Sequence, residues 1–226
     1  MYKTELHAHT WPVSRCAQST AAQVAEDYIQ NGYSTLVLTN HMSPSFFEWA
    51  QQEGLSSWRE QADLFLSDYR SMRKHAGDKL CVLLGMEVRV HPNMNDYLVY
   101  GIDEEFVCRM GNIMELSIDG LSQLVHDAGG LIYQAHPFRN GMTVTDPRLL
   151  DGIETANCCR SHDSRNEIAK AWAQRFGLRG ICGSDYHRPE HMNGTGILTE
   201  TRLDSPSALV SALTSMDFVL HEGKND

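Results

Sequence analysis

The sequence predicts an α/β protein, a barrel of strand–helix units, on three observations. Short apolar runs alternate along the chain with longer stretches whose apolar residues recur every three or four positions. No Pro/Gly/Ser-rich linker interrupts them, so residues 1–226 read as one domain. Side chains of metal-ligand type (His7, His9, His41, Glu87, His136, Asp185 and His187) stand at or just past the ends of the short runs. In repeated βα units such ends converge on one face. The glycine fingerprint of a dinucleotide-binding open sheet is missing, which favours the barrel.

Residues 3–7 start the first strand and lead into His7 and His9. Ser19-Thr20 caps a helix through about Asn31, with Ala21, Val24, Ala25, Tyr28 and Ile29 on its apolar face and Gly32 as its stop. Thr35–Thr39 is a buried strand that delivers His41. A helical region is expected over about 45–75, then a strand at 80–84 delivering Glu87 after Gly85, and another at 97–100. A helix at 118–128 ends at Gly129-Gly130, and 131–133 leads to His136-Pro137. A strand at 152–155, a helix at 164–176 and a strand at 179–182 lead to Asp185 and His187. Runs at 196–199 and 217–220 flank a final helix at 206–214.

A chain of 226 residues can bury a substantial core, and 42% hydrophobic with 21% charged residues is globular composition. The net charge of -10 argues against a nucleic-acid polymer as partner. Bound divalent cations would reverse the field locally and admit a phosphorylated substrate. The first residues lack a signal-peptide pattern, and no run approaches the roughly 18 apolar residues of a membrane span, so a cytoplasmic protein without membrane contact is expected. The cysteines at 16, 81, 108, 158, 159 and 182 show no CxxC spacing and are expected as reduced thiols. No coiled-coil pattern or apolar stripe marks an oligomer interface, so the oligomeric state is unknown.

His7 and His9 lie two apart on a strand and so share a face, a common way to chelate one metal. With the other ligand-type residues at strand ends, the pattern points to a multi-metal hydrolase. The segments Glu5-Leu-His7-Ala-His9-Thr, Leu38-Thr-Asn-His41, Gly85-Met-Glu87, Ala135-His136-Pro137 and Gly183-Ser-Asp185-Tyr-His187 resemble, in order, the motifs of the PHP (polymerase and histidinol phosphatase) superfamily. The resemblance implies a distorted (β/α)7 TIM-like barrel with two or three divalent metal ions (Zn, Mn or Fe) at the carboxyl ends of the strands. Carried over by position, it implies that His7, His9, Glu87 and Asp185 hold one metal. Glu87 would bridge to a second that His136 also binds, and His41 and His187 would hold a third.

Two positions depart from that pattern. Many family members carry an Asp or His a few residues after the HxH, where this chain has Ser14-Arg15-Cys16. Either Cys16 substitutes as a ligand, Arg15 acts as a fixed cation contacting phosphate, or the third site is weaker. No histidine precedes the strand at 97–100, where Asp96 is the candidate oxygen donor and His91 its rival. Arg15 and Arg139 are the candidate catalytic and substrate-binding cations, and Arg160 is a further substrate-binding candidate. His75, His126, His162, His191 and His221 have no such setting, although His191 is in reach of the pocket.

The expected activity is hydrolysis, by metal-activated hydroxide, of a small phosphorylated substrate. That substrate is a phosphomonoester such as histidinol phosphate, or a nucleotide phosphodiester. Two other classes compete: an amidohydrolase-type metal hydrolase, and a non-catalytic PHP domain with a partly degenerate site.

Overall fold

The computed structural model of the protein describes residues 1–90 and 94–223; His91 lies outside them. In chain order the strands are β1 (Tyr2–Ala8), β2 (Thr35–Leu38), β3 (His41–Met42), β4 (Cys81–Leu84), β5 (Met86–Val88), β6 (Tyr97–Tyr100), β7 (Leu131–Gln134), β8 (Gly152–Asn157), β9 (Arg179–Gly183), β10 (Gly196–Thr199) and β11 (Val219–His221). The helices are α1 (Ala21–Gln30), α2 (Pro44–Gln52), α3 (Trp58–Ala76), α4 (Glu104–Arg109), α5 (Ile118–Asp127), α6 (Asn166–Phe176) and α7 (Pro206–Ser215). Among the described residues no helix is long and apolar enough to cross a membrane.

Most expected elements are present, with local differences. The helical region expected over 45–75 is two helices, because Gly54 takes a φ of +79° and Ser57 caps α3 through a capping box with Glu60. The sequence reading missed α4, a helix of 6 residues too short to show a period, started by the Asp103 cap and Glu104 and Glu105 in its first turn. The strand expected at 80–84 continues past Gly85 as β5 and so carries Glu87 itself.

The expected α/β class holds, and among the described residues the strands form sheets with no closed barrel. Among the described residues there are two sheets, ordered β11-β10-β1-β2-β4 and β3-β5-β6-β7-β8-β9; β1, β2 and β4 pair in parallel in the first, and β3 with β5 and β7, β8 and β9 in the second. The antiparallel strands β6, β10 and β11 depart from a regular βα repeat. The sheets still share boundaries. Gly85 donates to Leu38 O (3.0 Å) and Glu87 to Asn40 O (3.0 Å), so the β2–β4 ladder runs into β3–β5. Ala8 and Tyr186 form an isolated bridge between β1 and the segment after β9.

Alternation along the strands divides the core in two. Leu36, Leu38, Val82, Leu84, Val99 and Ile132 pack in one cluster with α1, α3 and α5. Val37, Leu83, Leu98, Tyr100, Leu131 and Tyr133 face the other way, into a second cluster with Leu209, Ala212 and Leu213 of α7. Both strand faces are thus dry, as expected of continuous apolar runs. Polar side chains on these strands therefore stand out.

Gly183, the last residue of β9, allows β1 and β8 to approach each other. A Cβ there would lie 2.5 Å from His7 Cβ and 2.8 Å from Glu154 Oε1, both fully buried. Gly183→Ala is expected to lower stability by about 1–3 kcal/mol through overpacking. In contrast, Gly120→Ala in α5, with its nearest neighbour at 3.6 Å, is expected to raise it by roughly 0.5–1 kcal/mol. Urea denaturation of the two variants checks both signs.

Candidate metal centre

The ligand-type residues meet at one end of the strands. β1 supplies His7 and, one residue past its end, His9; β3 supplies His41, β5 Glu87, the end of β7 His136, and the turn after β9 Asp185 and His187. Among the described residues four groups have ligand atoms within 4.8 Å of one another, and three of them are made of these side chains: His7–Glu87–His136, His7–His9–Asp185 and His9–His41–His187. Glu87 and Asp185 are the carboxylates among them, and both are buried. Glu87 Oε1 lies 3.1 Å from His136 Nε2 and 3.4 Å from His7 Nε2, while its Oε2 lies 2.9 Å from His41 Nδ1.

Hydrogen bonding fixes three of the imidazoles. His7 Nδ1 faces Glu154 Oε1 at 2.9 Å, and a carboxylate only accepts, so Nδ1 carries the proton and the lone pair is on Nε2. Ser14 Oγ donates to Asn40 Oδ1 (2.8 Å), which leaves it to accept from His9 Nδ1 (3.3 Å). His187 Nδ1 donates to the Asp185 carbonyl (2.9 Å). In each case Nε2 is left as the acceptor atom, and Nε2 of His7 and of His9 is buried without a hydrogen-bond partner. Oε2 of Glu87 and Nδ1 of His136 are also buried and unpartnered by hydrogen bonds. Such buried orphans are costly unless something else meets them, and imidazole nitrogens beside carboxylate oxygens are the donor set of a divalent transition metal. The residues fit the metal ions that the motifs imply.

Electrostatics follow this geometry. Burial disfavours charge on His7, but Glu154, Asp185 and Glu87 outweigh it and hold its pKa well above the ordinary histidine value. Burial, with His41 and His187 adding to it, drives His9 well below that value. Burial raises Glu87 and Asp185, yet the imidazoles around them bring both well below the usual carboxylate range. His136 and Asp185 have φ values of +28° and +50°, a left-handed backbone rare outside glycine. Two residues of ligand type are thus held in conformations costing about 1–3 kcal/mol each, as occurs where surrounding structure dictates a local geometry.

Several residues here escaped the sequence reading. Glu154 lies inside an apolar strand, a signal that could have been used; its Oε2 accepts from His136 N (2.9 Å) and Asn157 Nδ2 (2.9 Å). Histidine 162 was set aside as unrelated, but the chain between β8 and α6 folds back over the site. Its Nε2 lies 3.8 Å from Asp185 Oδ2, and Cys159, His162 and Asp185 form a further ligand-type group. Burial raises the Cys16 thiol, but hydrogen bonding to His187 and His41 more than offsets it and brings the pKa down to about 6.

The structure does not bring Asp96 into any of the ligand groups among the described residues. Its two oxygens accept from Arg89 Nε and an Arg89 terminal nitrogen (both 2.7 Å), and Arg139 adds a contact at 3.2 Å. Asp96 thus anchors two guanidiniums beside the cleft. Arg160 is exposed and lines neither cavity at the centre. Arg15 and Arg139 do line the cleft: Arg15 sits 5.2 Å over the Trp49 ring. A cavity of about 510 Å³ runs along Arg15, Arg89 and Arg139, and a smaller one of about 210 Å³ runs along Arg139, His162 and Arg188. The two share Cys16, Arg139, Asp185 and His187.

Residues 163–217 match the PHP_C family, described as PHP-associated. A 5'-3' exoribonuclease of Haemophilus influenzae is 40% identical over 76 residues, covering 30% of this chain and 27% of that protein. Among solved structures, a two-domain protein of Bacteroides vulgatus containing a predicted PHP-like metal-dependent phosphoesterase aligns over 98% of this chain and 65% of its own length, with a TM-score of 0.68 and 16% identity. A lesion-specific endonuclease of Pyrococcus furiosus aligns over 95% of this chain and 56% of its own, with a TM-score of 0.63 and 13% identity. The structural likenesses, at such low identity, are of fold. The chain spans about a quarter of the exoribonuclease and under two thirds of either solved structure.

Glu154→Gln removes the negative charge and leaves one acceptor oxygen where His7 Nδ1 needs one and the His136 N–H and Asn157 amide need another, and losses of this kind typically weaken metal binding by about 10–100-fold. Competition against a chelator measures it. Metal affinity is also expected to rise with pH. His7 must lose its proton to bind, and it does so above the ordinary value of about 6.5, so protons compete with metal until that raised pKa is passed.

Proposed function

We propose that this chain, which belongs to the PHP superfamily, is a metal-dependent phosphoesterase that holds a phosphate ester between its histidine–carboxylate centre and the cleft arginines. The observation that carries this reading is the pair of buried, unpartnered Nε2 atoms of His7 and His9, each fixed as a lone-pair donor from behind. The three groups sharing His7 and His9 would hold two or three divalent ions. Such ions would lower the pKa of a coordinated water and neutralise charge on phosphoryl oxygens.

The protein's own part is positioning. Arg139 is held by Asp96 at the junction of the two cavities, and Arg15 is held against Trp49, so both present guanidinium edges to the cleft at little ordering cost. In this reading the two sheets are halves of a distorted barrel of (β/α)7 type, with the cleft at the carboxyl ends of its parallel strands.

The cavities of about 510 and 210 Å³ on either side of Asp185 and His187 favour a substrate with groups on both sides of phosphorus. A nucleotide phosphodiester has that form, as does the class of substrate named for the exoribonuclease and endonuclease relatives. The net charge of -10, which argued against a nucleic-acid partner, is a property of the whole surface and not of this arginine-lined cleft.

Metal analysis of the purified chain, beside turnover of p-nitrophenyl phosphate and bis-p-nitrophenyl phosphate, tests the proposal. Bound divalent metal with chelator-sensitive turnover, faster on the diester, is expected; metal-loaded protein inert to both esters would overturn it. His9→Ala should lose metal and activity together. Arg139→Ala should keep its metal and lower kcat/KM by about 10–100-fold, the worth of a hydrogen bond to a charged group.

A further inference from the structure

Where the family pattern has a further ligand after the HxH, this chain has Ser14-Arg15-Cys16. The buried member of that segment, Ser14, ends a chain of hydrogen bonds that starts on α3. Asp68 Oδ2 accepts from the Thr10 hydroxyl (2.8 Å) and from Val13 N (3.2 Å). Thr10 meets Asn40 twice: its N–H donates to Asn40 Oδ1 (2.8 Å), and its Oγ1 accepts from Asn40 Nδ2 (2.8 Å). A backbone N–H only donates, so the Asn40 atom facing it is the oxygen, and the amide cannot be turned over. Ser14 gives its one proton to that same oxygen at 2.8 Å. Its lone pairs are left for His41 N (3.0 Å) and His9 Nδ1 (3.3 Å). Thr10, Ser14, Asn40 and Asp68 are all buried, so bulk water does not compete for these groups.

On the far side of His9 the pull is the opposite. Its Nε2 lies 3.3 Å from Glu87 Oε2 and 3.3 Å from Asp185 Oδ1, two oxygens that would draw the ring proton to Nε2 and close that nitrogen to a metal. An acceptor at Nδ1 opposes them. Resting on the reading of the cleft as a metal centre, we infer that Ser14 is a positioning residue of that centre. Set by Asn40 and Asp68, its hydroxyl holds the His9 proton on Nδ1, keeps Nε2 open to a cation, and fixes the backbone of His41 with the same oxygen. The segment then serves two residues of the His9–His41–His187 group at once, by orientation. Asp68 and Asn40 belong to the centre although neither reaches it.

The tautomer is read without any turnover. The chain is labelled with nitrogen-15 and stripped of metal, and the His9 ring nitrogens are followed in long-range proton–nitrogen spectra at mildly alkaline pH, with His9→Gln identifying the signals. Zn²⁺ affinity is measured beside it by chelator competition. Wild type should carry the proton on Nδ1. Ser14→Ala, which leaves the Asp68–Thr10–Asn40 bonds and so the anchored loop in place, should move it toward Nε2 and weaken Zn²⁺ binding by about 10–100-fold. Asn40→Ala should do the same, whereas Asn40→Asp, which keeps an oxygen facing Ser14, should hold the proton on Nδ1. A wild-type proton on Nε2, or Ser14→Ala with the wild-type tautomer and affinity, overturns the positioning role and leaves the metal centre standing. Wild type that takes up no Zn²⁺ overturns the centre itself, and with it the role given to Ser14.

Discussion

A carboxylate placed inside a dry strand must find donors for its oxygens or lose several kcal/mol to desolvation. Glu154 meets that demand in a way that organises the centre. Its Oε1 takes the proton of His7 on β1, and its Oε2 takes the backbone N–H of His136 after β7 and the amide of Asn157 at the end of β8. Asn157 reaches on to Asp185 Oδ2 at 3.3 Å. Four segments distant in sequence are thus registered against one side chain, and the space it needs exists because Gly183 has no Cβ. A second buried carboxylate repeats the device one layer down: Glu5 accepts from the N–H groups of Leu6, His7 and Ser184 and from the Tyr28 hydroxyl. Both tie β1 to the end of β9, where regular pairing between the sheets is reduced to an isolated bridge.

The positive φ values of His136 and Asp185 belong to the same design. Each residue turns sharply out of a strand end, and the turn aims a short side chain inward when the next residue would otherwise carry the chain away. The strain persists because both backbones are clamped: His136 N by Glu154, and the Asp185 carbonyl by His187 Nδ1 and His191 Nδ1. Rigid donors with fixed tautomers lose little entropy on metal binding, which favours a preorganised centre.

Much of the fold and most of the centre were legible in the sequence, for a physical reason. Buried parallel strands must be apolar, so a polar residue at the end of such a run is conspicuous; His7, His9, His41, Glu87, His136, Asp185 and His187 were found that way and do meet in space. What escaped depended on folding back. His162 and Cys159 lie in the irregular stretch after β8, where no periodicity says which way the chain turns. Glu154 was passed over as an ordinary strand residue, although a carboxylate within Gly152–Asn157, buried throughout, requires a partner. Strand direction was not legible, because runs of four residues look alike whether their neighbours are parallel or antiparallel, and β6, β10 and β11 are antiparallel.

Asp96 shows how a buried carboxylate can organise the cations of the cleft. It precedes β6, an antiparallel strand, and so reaches the same end of the sheet as the residues that follow the parallel ones. It comes within 3.9 Å of His136 Nε2, close enough to resemble a ligand. Yet Arg89 grips it through two bonds of 2.7 Å, and charge-assisted pairs of this geometry are among the strongest a side chain makes. Its charge is already answered. The consequence passes to Arg139, which leans on the same carboxylate at 3.2 Å while remaining partly exposed to the cleft. An acidic chain can in this way present fixed positive groups to an anionic substrate: the carboxylate that holds the arginines stays buried beneath them, and the guanidinium edges, not the net charge, define what the cleft meets.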